Sequence, residues 1–434
     1  MTSVVEKSAI LIRVVQNLNA RLSESGGAEI RRDIYHSSQR GFKKIEIIIC
    51  MVHLIDKCWH LKVRNAFESF LDHNYKRLRV VGSFHFGCYN GNETFSFQCS
   101  QLILRSLIIF FFSNNFYGLF QRVILQSGSA LAHWSLVKDP LKYAVQLATT
   151  LECPTSDKDE IMKCLRGMPV EDFLDANVQA PEHLTAFGPT IDGTVIPNEP
   201  ERLMQSVQEG NNGLLHDLMF GVTSTEGSFP FGQEDFIKGF ETDKRDRITR
   251  TFVRNLYTYH MNEIYAVLTN EYTDWTKGTQ HPTNTRDCTM EMFGDAQYVA
   301  PVVRAGILHS MVQPNTYFYV FDYQAKDGDY PQRLGCFHGE ELAYIFGAPL
   351  VEGGLTFMQK NYSKTEKTMS EAIIKFWTNF ARYGEPNDIE KKVGKDVSNV
   401  EENPDNDAKN KNRFAKLAWP QFEHVHQKYL SIVN

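Results

Sequence analysis

The sequence lacks the features that mark a membrane span or an export signal. Two apolar stretches stand out, 45–55, which contains Glu46 and His53, and 102–112, which contains Arg105. Both fall well short of the roughly 20 apolar residues that a spanning helix requires. The opening residues mix charged and apolar side chains and form no hydrophobic signal core. We therefore expect neither a transmembrane span nor a signal peptide within this chain.

Patterns for metal and nucleic-acid binding are also missing. The eight cysteines include no CxxC pair and form no Cys/His cluster with zinc-ligand spacing. Residues 1–116 are basic, but their Lys and Arg are scattered among apolar residues without a repeating stripe or an aromatic stacking signature. We therefore expect no intrinsic metal or cofactor and no nucleic-acid partner.

The charge balance divides the chain into two parts. Residues 1–116 carry 15 Lys and Arg against 9 Asp and Glu, whereas residues 117–434 carry 31 against 43.

In the second part, residues 117–434, short β-branched and aromatic runs alternate with longer helical stretches, which is typical of an α/β layer structure. Residues 387–412 are almost devoid of apolar side chains, and this predicts a flexible surface loop. Residues 1–116 show no sustained period of 2 or 3.6, so they receive no predicted fold.

Local signals predict several elements in the second part. Strands are expected at 122–126, 217–222, 316–322 and 429–433. Asp139 followed by Pro140 predicts the start of one helix, and Ser156 predicts the cap of the next. A long helix is expected to begin at Ser363 and to end at Gly384.

Two residues fit part of a hydrolytic triad. Glu226 follows a predicted strand in a turn that Gly227 favours, and His338 lies in a loop before a helix. An α/β-hydrolase triad runs in the order nucleophile, acid, histidine, with the last two on loops after strands. The nucleophile is missing, because the chain has no G-x-S-x-G motif and no HGGG-type oxyanion loop. From these residues alone, a solitary surface carboxylate and a loop histidine are the simpler interpretation.

The spacing of Cys153 and Cys164 leaves two interpretations open. They are eleven positions apart, around Pro154 and a helical stretch. This separation suits a small disulfide-bonded loop in an oxidising compartment, and it equally suits two partly buried thiols.

Seven segments of residues 117–434 resemble the type-B carboxylesterase and cholinesterase family, and they occur in that family's order. They are YGLFQRVILQSGSALAHW, TAFGPTIDGTVIPNEPERLM, LMFGVTSTEG, EYTDW, GCFHGEELAYIFGAPL, FWTNFARYGEPN and RFAKLAWPQF. Residues 1–116 match none of the family's early strands, its oxyanion loop or its nucleophile elbow. The resemblance therefore implies an incomplete α/β-hydrolase fold, namely the C-terminal half of a cholinesterase-like domain.

Within that family, three segments are most similar to neuroligins of arthropod type, which adhere across synapses by binding neurexins. They are QSGSALAHW, AFGPTIDG and HGEELAYIFGAPL. Catalytic cholinesterases typically have HGYE where this chain has HGEE, from His338 onwards. Neuroligins keep the acid and the histidine but replace the nucleophile. The resemblance thus implies no catalytic residue, with Glu226 and His338 vestigial and engaged in structural hydrogen bonds.

The resemblance implies two covalent features as well. Cys153 and Cys164 match the family's small disulfide loop, and Asn361 begins an Asn-Tyr-Ser sequon that matches a family glycosylation site. A second sequon, at Asn92, lies in sequence that does not match the family.

By the same resemblance, the neurexin-binding face includes residues 208–217. Leu214 matches a packing contact, and Asp217 matches a residue that can take part in a calcium-bridged contact with neurexin. Leu215 stands where the family often has Asn, and the GNNGLL segment resembles an insertion. An ordinary exposed loop that ends in an aspartate at a strand start is the alternative interpretation.

The chain departs from the family at both ends. It stops at YLSIVN, before the C-terminal helix of the family homodimer and before the stalk, membrane span and cytoplasmic tail. A sheet without its early strands would leave an unpaired edge, which favours aggregation. We therefore hypothesise that residues 1–116 derive from a mispredicted or alternative exon.

Two functions follow from these observations. The first is a non-catalytic adhesion module that binds neurexin at the synaptic plasma membrane, on its extracellular face. The second is a type-B carboxylesterase whose nucleophile segment is missing from this sequence. The HGEE loop and its neuroligin-like neighbours favour the first.

Overall fold

The structure, a computed structural model, describes residues 45–51, 78–80, 121–208, 216–325, 331–351, 361–387 and 417–433. Several predicted features therefore lie outside the described residues. They are Leu214, Leu215, the sequon at Asn92 and nearly all of the 387–412 loop.

Six parallel strands form one sheet within the described part of the chain. They are β1 (Ile45–Met51), β2 (Leu78–Val80), β3 (Arg122–Gln126), β4 (Asp217–Thr223), β5 (Thr316–Asp322) and β6 (Leu430–Val433). Their order across the sheet is β2-β1-β3-β4-β5-β6. The four strands predicted after residue 117 are confirmed to within one residue at each end. This arrangement agrees with the predicted α/β class.

The expectation of a sheet without early strands, with an unpaired edge in their place, is wrong for the described residues. Strand β1 pairs with β3, with Ile47 opposite Arg122 and Met51 opposite Gln126, and β2 pairs with β1. The sequence IEIIICM has the β-branched side chains that favour a strand. Its apolar residues do not alternate with polar ones, so the period-2 pattern did not indicate this strand. Two strands of the sheet thus come from the part of the chain that received no predicted fold.

Eleven helices connect or follow these strands in the described residues. They are α1 (Pro140–Thr150), α2 (Lys158–Gly167), α3 (Val170–Asp175), α4 (Pro200–Gln208), α5 (Gln233–Lys238), α6 (Thr242–Leu256), α7 (Met261–Glu271), α8 (Pro282–Gly294), α9 (Ala300–Ser310), α10 (Glu341–Ile345) and α11 (Lys364–Tyr383). A π-helical turn, Asp295–Val299, joins α8 to α9.

Capping residues explain several helix ends. The Asp139 side chain accepts a hydrogen bond from the backbone of α1, as predicted. For α2 the prediction is corrected by one residue, because Asp157 is the cap and Ser156 instead donates to the side chain of Glu160. Ser363 and Glu366 form a capping box at the start of α11. At its end, Gly384 has the left-handed conformation that favours glycine.

Helices cover both faces of the sheet, so strand side chains are buried on both sides. On one face the side chains that include Val123 and Phe220 pack against α9. On the other, Ile124, Met219 and Tyr319 pack with α10, α11 and the buried Trp419. Alternate residues of one strand therefore enter different cores, as the pleat of a strand requires. The carboxyl ends of β3, β4 and β5 are held at one edge of this three-layer structure.

A disulfide joins Cys153 to Cys164, with Cα atoms 5.9 Å apart. It connects the end of α1 to α2, as the family resemblance implies. Cys288 and the buried Cys336 are free thiols. None of the helices in the described ranges combines the length and apolarity that crossing a membrane demands.

Candidate functional site

The first element of the site is the loop after β4, which carries Glu226. Its side chain is fully buried and accepts hydrogen bonds from the Thr223 backbone N, at 2.7 Å, and from the Ser127 Oγ, at 2.6 Å. The next position, 227, requires glycine, because a Cβ there would lie 2.0 Å from the carbonyl oxygen of Met290. The turn therefore packs closely against α8, and the Glu226 side chain points into the protein interior.

The second element is the loop after β5, which carries His338. A parallel bridge between Thr225 and Phe337 joins this loop to the one that carries Glu226. The His338 Nδ1 donates a hydrogen bond to the Glu226 Oε2, and the His338 side chain is only 2 % exposed. The structure therefore brings the two predicted triad residues together, and the simpler interpretation of a surface carboxylate and a loop histidine is wrong.

Aromatic rings enclose the imidazole. The ring centroids of Phe229 and Tyr298 lie 4.8 Å and 5.0 Å from that of His338. Tyr298 belongs to the π-helical turn between α8 and α9, so the turn contributes directly to the environment of the histidine. Such packing holds the ring in one orientation and separates it from bulk water.

Ser127 is a member of the site that the sequence reasoning missed. It follows β3, is fully buried, and has a positive φ of 51°. Its backbone N donates to the Gly221 carbonyl oxygen, while its hydroxyl donates to Glu226. The available signal was a serine directly after a predicted strand, in QSG. Because this hydroxyl is bonded to the carboxylate, it occupies no nucleophile position against the imidazole.

A second group of buried polar side chains lies next to this site. Gln126, Tyr319 and Glu341 are each at most 1 % exposed, and each has a polar atom without a hydrogen-bond partner. Burial is the main cause that raises the pKa of Glu341 to about 8, and the charge of Glu226 is the next largest. Burial and the charge of Glu341 raise the pKa of Tyr319, whereas the neighbouring Gln126 lowers it. Glu341 is therefore mostly a neutral acid at pH 7.

A pocket of about 220 Å³ opens beside the Glu226 loop. Its lining comprises Ser224, Thr225, Glu226, Asp287, Met290, Glu291, Gly294, Asp295, Val299, Arg333 and Leu334. Burial, followed by the charge of Asp295, raises the pKa of Glu291. His338 does not line this pocket, so the pocket does not present the imidazole to a bound molecule. Among the described residues, no group of acidic, His or Cys side chains is suited to hold a metal ion.

Asp217, the described member of the predicted binding face, has structural partners. Its Oδ2 accepts from the Arg122 Nε and its Oδ1 from the Asn315 Nδ2, each at 3.1 Å. Burial raises its pKa, against the effects of Asn315 and Arg122, which lower it. A cation beside the carboxylate and two occupied oxygens do not resemble a prepared calcium site. Its predicted role in a calcium-bridged contact is not tested by this geometry and stays a prediction.

The predicted glycosylation site lies at the surface. Asn361 is exposed and comes two residues before the cap of α11. Attachment of a glycan there stays a prediction.

Comparisons with known proteins agree with the resemblance seen in the motifs. The sequence model of the carboxylesterase family matches residues 105–434. Human neuroligin-2 is 34% identical over 318 residues, which are 73% of this chain and 36% of that protein. Mouse neuroligin-3 is 35% identical over 73% of this chain and 37% of its own length. Neuroligin-1 of Caenorhabditis elegans is 31% identical over 73% of this chain and 40% of its own length. The chain thus spans well under half the length of these relatives.

Proposed function

The chain belongs to the carboxylesterase family and is similar to neuroligins, and from that premise we propose that it is part of a non-catalytic cell-adhesion protein. Family membership also agrees with the predicted α/β-hydrolase fold, of which the described sheet is a part. In this proposal the residues at the ends of β3, β4 and β5 hold the fold together, and the surface loops bind another protein.

One observation carries the proposal, namely that the sequence has no G-x-S-x-G elbow to place a nucleophile beside the joined Glu226 and His338. The contacts from Ser127 through Glu226 to His338 instead connect the loops after three neighbouring strands, which is a structural role that needs no turnover. General-base catalysis would need a hydroxyl on the other side of the imidazole. The sequence has no G-x-S-x-G elbow to supply one, and the Ser127 hydroxyl is bonded to the carboxylate.

The esterase alternative rests on the same acid and histidine, because they are assembled in the geometry that a triad needs. The decisive test is hydrolysis of p-nitrophenyl acetate by the 434-residue chain and by its His338→Gln variant. We expect both to match the buffer rate. Hydrolysis that is well above that rate in the parent chain and lost in the variant would establish the esterase and overturn the adhesion proposal.

For the partner, we propose a neurexin-like protein at the extracellular face of the synaptic plasma membrane. The support is the similarity to neuroligins and the position of the 208–217 loop directly before β4. In this proposal Leu214 and Leu215 pack against the partner, and Asp217 takes part in a calcium-bridged contact at its surface.

The binding test measures attachment of the chain to an immobilised neurexin ectodomain with calcium or with EDTA. We expect binding that needs calcium and that Asp217→Asn weakens. Because Asp217 also pairs with Arg122, the control is Arg122→Gln, which breaks the ion pair but keeps the carboxylate. Equal losses for the two variants would assign the effect to stability and would remove Asp217 from the interface.

A further inference from the structure

Helix α6 has a charge opposite to that of the domain around it. Its sequence, TDKRDRITRTFVRNL, contains five Lys or Arg against two Asp. Residues 117–434 as a whole carry 31 Lys and Arg against 43 Asp and Glu. A positive helix on a negative domain creates a local field that attracts anions to that helix.

The helix separates its side chains into two faces. Thr249, Phe252 and Val253 are buried, and the latter two pack in the core that contains Phe293. Arg247, Arg250 and Arg254 are exposed. Their spacings of three and four residues place them along one side of the helix, turned away from that core. We call these three residues the arginine stripe.

The guanidinium groups of the stripe have no carboxylate partner within the described residues. The other cations of α6 differ, because Lys244 pairs with Asp235 and Arg245 with Asp246. Arg250 stacks over the ring of Tyr265 on α7, with its guanidinium carbon 3.9 Å from the centroid. This stacking holds one member of the stripe in place and leaves its edge available for an anion.

We propose that the arginine stripe binds a sulfated polysaccharide chain. The occupant is argued from charge and shape. A guanidinium group gives a tetrahedral anion two parallel hydrogen bonds, and three in a row fit anions that repeat along a thread. The acidic remainder of the domain repels a wide anionic surface, such as a membrane or the body of an acidic protein. A thin polyanion can contact the stripe alone.

Two further observations, one on α6 and one elsewhere in the chain, fit this assignment. The acid on the exposed side, Asp243, lies at the N-terminal end, so the anions would run from Arg247 towards the C-terminal end of α6. The disulfide between Cys153 and Cys164 is typical of the oxidising extracellular space, where sulfated polysaccharides occur.

The test measures binding of heparin by the full 434-residue chain in two ways. Calorimetry gives the affinity for a heparin octasaccharide, and chromatography gives the salt concentration that elutes the chain from immobilised heparin. The variant replaces Arg247, Arg250 and Arg254 with Gln. Its matched control replaces Lys163, Arg166 and Arg202, three exposed cations on α2 and α4, with Gln and thus removes the same charge. We expect binding that the stripe variant weakens by at least about tenfold and that the control leaves within about twofold of the parent.

A second variant, with Lys at all three stripe positions, keeps the charge and removes the guanidinium forks. We expect it to bind more weakly than the parent but more tightly than the Gln variant. Circular dichroism and the Tm of each variant verify folding, which Gln and Lys at exposed helical positions should preserve.

Three results would overturn the proposal. One is an octasaccharide that does not bind the parent chain. Another is an equal loss in the stripe variant and its control, which would indicate attraction to net charge alone. The third is binding of polyglutamate or phosphatidylserine vesicles as tight as that of heparin, which would assign the stripe to an acidic protein or a membrane. Unsulfated hyaluronan should not bind.

Discussion

Glu226 and Glu341 are each only 1 % exposed, yet their surroundings differ. Glu226 accepts hydrogen bonds from a hydroxyl, a backbone N and an imidazole. Glu341 has an oxygen without a partner, and its pKa is raised to about 8. The difference shows that burial alone does not define a polar site in this protein. Partners decide whether a buried carboxyl joins loops together or remains a neutral acid.

The largest expected effect is the loss of the partnered carboxyl. We expect Glu226→Ala to lower the free energy of unfolding by about 3 to 5 kcal/mol, because it leaves buried donors unpaired. Urea denaturation measures this. The control is Glu234→Ala, at an exposed position on α5, with no measurable change expected because water screens an exposed carboxylate. Similar losses for the two variants would contradict the structural role of Glu226.

The second prediction concerns Glu341, which has one oxygen without a hydrogen-bond partner. The folded-state pKa of Glu341, about 8, is above its ordinary value of 4.5, so its contribution to stability is complete below pH 4.5 and is lost as the pH rises towards 8. We expect Glu341→Gln to remove this loss and to stabilise the chain on the order of 3 kcal/mol at pH 8. Urea denaturation at pH 5 and pH 8 measures the difference. Parallel pH profiles for parent and variant would show that Glu341 is ionised in the folded chain.

The third prediction isolates the Ser127 contact. We expect Ser127→Ala to cost about 1 to 2 kcal/mol of unfolding free energy, since Glu226 loses one of its donors. A double-mutant cycle with Glu226→Gln should then show coupling of about 1 kcal/mol. Ser135→Ala is the control, because the buried Ser135 hydroxyl donates to carbonyl oxygens of its own turn, at Ala130 and Ala132. Coupling of Glu226 to Ser135 as strong as that to Ser127 would refute a specific contact.

The smallest expected effect extends the comparison to a buried base. Burial lowers the pKa of His309 to about 3, although its ring nitrogens lie near the Thr316 Oγ1 and the His216 carbonyl oxygen. Because the folded-state pKa is below the ordinary value, the stability contribution is complete above pH 6.5 and is lost as the pH falls towards 3. Between pH 6.5 and 5.5, the parent should lose about 1 kcal/mol more than His309→Gln. Equal losses in thermal denaturation would indicate that His309 accepts a proton in the folded state.

Features with local causes could be predicted from the sequence. Asp139 before Pro140, and Ser363 three residues before Glu366, are complete capping signals within one turn. The apolar, β-branched run at Arg122–Gln126 likewise specifies a strand by itself. Near Ser156 the signal was ambiguous, because Ser156 and Asp157 are both good caps and the geometry of the turn selects Asp157.

Features that depend on distant residues could not be predicted in this way. Ser127 and Glu226 are 99 positions apart, and only the parallel pairing of β3 with β4 brings their loops together. The arginine stripe is defined by the buried face of α6, because the sequence gives the positions of its charges but not which side of the helix faces solvent.

By itself, the sequence determined the α/β class, the strands from β3 to β6, the main helix caps and the resemblance to neuroligins, because each depends on neighbouring residues or on an ordered set of motifs. Only the tertiary structure decided that Glu226 and His338 are joined, that Ser127 completes their contacts, and that β1 pairs with β3. The physical reason is that hydrogen bonds and burial between distant segments depend on strand order and register, which no local pattern encodes.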